Sequence, residues 1–138
     1  MIFMVIVKGS KETEAGGPPD PELMNEMGKF NAELIKNGIV LAMEGLRPTS
    51  EGARVHISDG KRTVIDGPFA EAKEWIAGFW LWQLPSMEEA IEWVKRCPAP
   101  SRGESEVEIR QVWEMKDVLP QERLERKEKL RADYISKA

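Results

Sequence analysis

The sequence is poor in the side chains that most often carry chemistry, with one cysteine, one histidine and one tyrosine among its 138 residues. A single cysteine, Cys97, excludes an intramolecular disulfide, and nothing in the sequence points to an oxidising compartment. One histidine and one cysteine are also too few donors for an imidazole or thiolate metal site, which leaves only a carboxylate site for a hard cation. No metal and no cofactor are expected. There is no cationic excess: 20 Lys and Arg stand against 24 Asp and Glu, a formal charge of −4. Binding to phosphate backbones needs a basic stripe, so nucleic acid is excluded as a partner. Long apolar runs are missing too. The amino-terminal run Met1–Val7 turns polar at Lys8, far too short to span a bilayer and without the basic flank or cleavage site of a secretory signal. A cytoplasmic protein with no membrane partner is the expectation. No Gly-rich phosphate loop and no set of nucleophile, base and orienting group is present either.

What the sequence does have is the material of one α+β domain. Hydrophobic residues are 41% and charged residues 32%, an ordinary globular balance for a chain of single-domain size. Met1–Lys8 is apolar at both parities, the pattern of a strand covered on both faces. A flexible stretch is expected next, broken by Gly16-Gly17-Pro18-Pro19. Asp20-Pro21-Glu22 then announces a helix, with Asp20 as N-cap and Pro21 in the first position, where its missing N–H costs nothing. Leu23, Met27, Phe30 and Leu34, flanked by Met24 and Ile35, repeat at helical spacing until Asn37-Gly38 ends the run. Ile39–Gly45 reads as a second strand, and Arg47-Pro48-Thr49 as its exit. Arg54–Ile65 reads as a hairpin about Asp59-Gly60, a pair that supplies positive φ at both turn positions. Its register places Val55 opposite Val64 and His56 opposite Thr63.

Asp66-Gly67-Pro68-Phe69 is a tight break, and Trp75–Leu84 is another strand, apolar on both parities. Ser86 and Glu89 have the spacing of a capping box for a helix through Ala90, Ile91 and Val94 that stops before Pro98. A loop, Ala99–Glu104, leads to a last strand, Val107–Met115, with Val107, Ile109 and Trp113 on one face. From Pro120 the chain is a charged helix with a thin apolar seam of Leu124, Leu130 and Tyr134, and with i,i+4 pairs Glu122–Arg126 and Glu125–Lys129. Domain organisation is therefore 1–116 followed by a helical extension, 117–138. Without hairpin and tail the order is βαββαβ, the ferredoxin-like arrangement, whose helices cover one face of an antiparallel sheet. The first and third core strands are apolar on both faces, so a second copy packed sheet to sheet is expected to cover the other side.

Glu44-Gly45-Leu46-Arg47-Pro48, Asp59-Gly60-Lys61, Asp66-Gly67-Pro68-Phe69-Ala70-Glu71-Ala72-Lys73-Glu74, Gly78-Phe79 and Val112-Trp113-Glu114 occur in this order. Together they resemble the DGPF branch of the YCII-related family, over Met1 to about Glu114. The resemblance implies a dimeric ferredoxin-like α/β barrel, with a cleft beside the DGPF turn. It also implies relatives of mostly unknown function, some similar to accessory products of extracytoplasmic-function sigma factors. Within the wider family a dehydrochlorinase uses a His-Asp pair, with the histidine on the first helix. This chain departs from that pattern, because Pro21–Asn37 contains no histidine. It also has Ala72 and Trp75 where the family usually carries threonine and glutamine.

The candidate site residues follow from these motifs. Asp66, a carboxylate at a turn beside an apolar cleft, is a candidate acid or base; alternatively it bonds the backbone N–H groups of its own turn. His56, the one imidazole, is its candidate proton partner, or else an exposed strand residue. Glu44 and Arg47 bracket the end of the second strand as a candidate pair across the cleft mouth. Phe69, Lys73 and Glu74 are candidate ligand contacts, the lysine as a point charge for a carboxylate, with a solvated charge run as the alternative. Trp75, Trp80, Trp82, Trp93 and Trp113 supply either stacking surfaces or core. Cys97 has no activating base nearby in sequence and reads as buried filler. Two functions fit: a homodimer that binds a small polar or aromatic metabolite beside the DGPF turn, with weak lyase- or isomerase-like acid/base chemistry, or a non-catalytic interaction or regulatory accessory protein.

Overall fold

Phe3 and Val5 are fully buried, while Ile2, Met4 and Ile6 between them are half-exposed. That alternation along β1 (Ile2–Lys8) sets one closed and one open face for the whole sheet. The computed structural model describes residues 1–99, 104–115 and 121–137. After β1 come α1 (Lys11–Glu14), α2 (Pro21–Lys36), β2 (Val40–Gly45), β3 (Ala53–Ser58), β4 (Lys61–Asp66), β5 (Ile76–Gln83), α3 (Met87–Val94), β6 (Val107–Gln111) and α4 (Gln121–Lys137). Four strands form one sheet in the order β2-β5-β1-β6, every neighbouring pair antiparallel, and β3-β4 form a separate ribbon. This is an α+β architecture with the strand order of the ferredoxin-like arrangement.

Local chemistry places the elements. Asp20 Oδ1 accepts from the Glu22 N–H at 3.1 Å, ahead of Pro21 in the first helical position. Gly38, at φ 69°, turns the chain out of α2, and the Ile39 N–H closes the cap on the Leu34 carbonyl. Asp59 and Gly60 both have positive φ, and the ribbon pairs Val55 with Val64 and His56 with Thr63, the register that their turn dictates. At α3 only the serine half of the expected capping box forms, Ser86 Oγ accepting from the Glu89 N–H.

One core lies between the sheet and the two long-range helices. Phe3, Val5, Trp80 and Trp82 project from β1 and β5, Phe30 and Leu34 from α2, and Ala90 from α3. Phe30 meets Trp80 and Trp82 edge-on, with ring centroids 6.0 and 6.3 Å apart. The flanking residues Met24 and Ile35 remain exposed. On the opposite face Met4 pairs with Leu81 and Ile6 with Phe79, and all four stay half-exposed because both helices bury their side chains on the other side.

Three expectations need correction. The stretch before the glycines contains α1, capped by a reciprocal box in which Ser10 accepts from Thr13 and Thr13 from Ser10. The last strand ends at Gln111 instead of Met115. Its ladder partner β1 begins at Ile2, so the chain runs out of backbone to pair with, and Trp113 is 74% exposed. Arg47 pairs with Glu51 at 2.9 Å, one helical turn away, and not with Glu44. The loop expected at Ala99–Glu104 lies mostly outside the described residues, as do Pro120 and the side chains of Glu122 and Leu124. Within α4, Leu130 and Tyr134 are exposed. No helix among the described residues is long and apolar enough to cross a membrane.

Candidate functional site

Two clefts lie one after the other along the strand pair β2–β5. Leu46 and Ile76 line the first, and Gly45 with Ala77 the second. The first, about 370 Å³, sits beside the DGPF turn and is lined by Arg47, Thr49, Phe69 and Glu74 among others. The turn beside it, with a cis Gly67–Pro68 bond, is held from outside itself. Thr49 donates through its N–H and its hydroxyl to the Glu14 carboxylate, at 3.2 and 2.6 Å, while its Oγ1 accepts from the Phe69 N–H at 3.0 Å. The Gly67 N–H donates to Gly52, and the Trp75 indole donates to the Phe69 carbonyl at 2.8 Å. Gly67 is required there: a Cβ would overlap the Thr49 carbonyl. Arg54 stacks on the Phe69 ring, 3.6 Å from its centroid, and pairs with Glu74 at 3.0 Å. Both members of that pair are well over a third exposed, so it orients the cleft wall more than it stabilises the fold.

The second cleft is larger, about 450 Å³, between α2 and the β2–β5 edge. Met24, Met27, Met43 and Trp80 give it apolar walls of the adaptable kind that methionine provides. Asn31 and Glu44 are its polar lining residues. Gly78 admits close backbone approach at its floor, since a Cβ there would lie 2.7 Å from the Glu44 carbonyl oxygen. Asn31 Oδ1 accepts from the Trp80 indole N–H at 3.0 Å.

The candidate residues are distributed unevenly over this geometry. Arg47, Phe69 and Glu74 share the cleft beside the turn, and Glu44 lines the cavity under α2. Lys73 lines neither; its carbonyl accepts from Lys8 Nζ at 2.8 Å. His56 pairs with Thr63 and Asp66 with Ala53, three ladder positions apart. They are therefore separated by about 10 Å along the ribbon and point to opposite faces of it. Among the described residues the Asp66 carboxylate accepts no hydrogen bond, so the turn is held by Thr49 and not by Asp66. Nor do any three His, Cys, Asp or Glu side chains gather into a cation site among the described residues. Reading the sequence missed Glu14, Asn31, Thr49 and Arg54. The only local signal for any of them is Ser10-x-x-Thr13, the box that starts the helix carrying Glu14.

The tryptophans divide by role. Trp80 and Trp82 are core, and Trp75 pins the turn. Trp93 carries Arg96 on its ring at 4.3 Å. Cys97 is half-buried, and burial pushes its thiol up to about 11. A thiol is reactive as the thiolate, so Cys97 is expected to react with a disulfide reagent at about pH 8 far more slowly than the same cysteine in urea. Equal rates in the two states would contradict the burial. Because the folded-state value is the raised one, its contribution to stability is present below the unfolded pKa and is lost as pH rises from 9 towards 11.

Fold and clefts together define a small α+β domain whose ferredoxin-like sheet carries its cavities along one strand pair. The sequence model of the YCII-related domain matches residues 1–116, and the chain belongs to that family. It is also similar to an uncharacterised protein of Rhizobium meliloti (strain 1021), 32% identical over 90 residues that make up 64% of this chain and 73% of that relative.

Proposed function

We propose that the protein is a homodimer of the DGPF type, an α/β barrel of two sheets packed face to face, in which each chain binds one small aromatic metabolite. The observation that carries the binding site is the 450 Å³ cavity under α2, apolar in its walls with few polar groups, which is the usual make-up of a small-molecule site. The cleft beside the DGPF turn continues it along the same strands. The half-exposed Met4, Ile6, Phe79 and Leu81 favour the dimer, since a sheet face of that composition gains by excluding water. His56 and Asp66 point away from one another, which favours binding over acid/base turnover.

Sedimentation velocity at micromolar concentration is expected to give a dimer, and Leu81→Arg a folded monomer, because it sets a charge in the middle of the packed face. A monomeric wild-type protein would sink this assembly. A thermal-shift panel of aromatic metabolites tests the cavity: a ligand at a hundredfold excess over its Kd adds about 2.7 kcal/mol to the folded state. No shift across the panel would count against binding. The exposed Leu130 and Tyr134, one turn apart on α4, favour a second reading, a regulatory accessory that docks a protein partner through this helix. Deleting residues after Asp117 with no effect on partner capture would remove it.

A further inference from the structure

We propose that the cavity under α2 selects an uncharged aromatic carbonyl compound, whose oxygen accepts from Asn31 Nδ2. This rests on the ligand-binding reading and narrows its substrate class. The indole N–H of Trp80 is a donor only, so the amide atom facing it must be the oxygen of Asn31. That bond fixes the amide the other way round at its far end. Nδ2 is left with two donors and has no partner among the described residues, although Asn31 is half-buried.

The rest of the lining sharpens the selection. Its other helix-side side chains are Val7, Pro19, Leu23 and the three methionines, none of which donates, and the Trp80 N–H is already used. Asn31 Nδ2 is thus the one free side-chain donor that the described residues give the cavity. Among the described residues the only charged one in the lining is Glu44, and no lysine, arginine or histidine lines the cavity. A carboxylate ligand would enter apolar surroundings with no cation to compensate it, a costly transfer. A plain hydrocarbon would fit the walls but leave the amide donors without water and without a partner. A neutral carbonyl on an aromatic body satisfies both demands, and the flat ring suits the gap between the methionines and Trp80.

Three probes of one shape separate the possibilities in the full-length protein: naphthyl methyl ketone, ethylnaphthalene and naphthoate, each measured by equilibrium dialysis. The ketone is expected to bind about tenfold or more tighter than ethylnaphthalene, as a satisfied half-buried donor implies, and tighter than naphthoate. The Asn31→Asp variant, studied at about pH 8 where an ordinary carboxyl is ionised, keeps an oxygen for Trp80 but replaces the donor by an acceptor. It should lose about tenfold or more of the ketone affinity and leave ethylnaphthalene unchanged. Equal binding of ketone and hydrocarbon, preference for naphthoate, or an unchanged order in the variant would overturn the assignment while leaving a ligand site in place. Failure of all three probes to bind would overturn the site with it. The order of the three in wild-type protein decides the matter even if the variant does not fold.

Discussion

Replacing Gly67 by alanine is expected to cost the folded state about 3 kcal/mol or more, because the added carbon has nowhere to go. Its position overlaps the Thr49 carbonyl, which is backbone and has no rotamer to yield. Neither partner is free to shift: Glu14 grips Thr49 through two hydrogen bonds, and the Gly67 N–H is bonded to Gly52. Urea melts should show the loss as a lower midpoint with an unchanged slope. Gly28→Ala is the control, since nothing lies within 4 Å of a Cβ there, and in a helix interior alanine is favoured by about 1 kcal/mol. Thr49→Val removes the hydroxyl between Glu14 and the Phe69 N–H and should cost about 1–3 kcal/mol. Because both changes act on one turn, the double variant should lose less than the sum of the two. A Gly67→Ala protein as stable as wild type would mean that the DGPF turn and the Thr49 segment do not approach so closely in solution.

Trp82→Ala should be the most damaging change in the core, at about 4 kcal/mol, out of a total that for a domain of this size is roughly 5–15 kcal/mol. Trp82 is fully buried and the largest such side chain; it packs against Trp80 at 5.6 Å between centroids as well as against Phe30. With a few degrees of melting temperature per kcal/mol, thermal unfolding followed by circular dichroism should move down by roughly 15 °C. Trp82→Phe should cost much less than volume alone suggests. The Trp82 indole N–H is buried without a partner among the described residues, and phenylalanine removes that unsatisfied donor together with part of the ring. If the phenylalanine variant were as unstable as the alanine one, the donor would have to be satisfied in solution.

Elements governed by near neighbours were legible in the residues themselves. The hairpin register follows from Asp59-Gly60, and α2 follows from its caps and its 3.6-residue stripe, because those interactions act within a few positions of the chain. The open sheet face was legible too, as strands apolar on both parities. Strand ends moved by a residue or so, except in β6, where the partner's length and not the local sequence sets the limit. The DGPF motif marked a turn correctly but pointed to the wrong holder: the Asp66 carboxylate accepts no hydrogen bond among the described residues, and the grip comes from Glu14 and Thr49, which are 35 residues apart.

Composition and spacing by themselves determined the α+β class, the order of the strands and of every helix but α1, the hairpin register, and the scarcity of histidine and thiol donors for a metal. Only the tertiary structure decided which side chains share a cavity. Asn31 meets Trp80 across 49 residues of chain, while His56 and Asp66, ten residues apart, face opposite ways. Caps and turns are settled by bonds that reach a few residues, whereas a site is settled by how sheet register and helix docking lay distant segments side by side, and no local pattern encodes that placement.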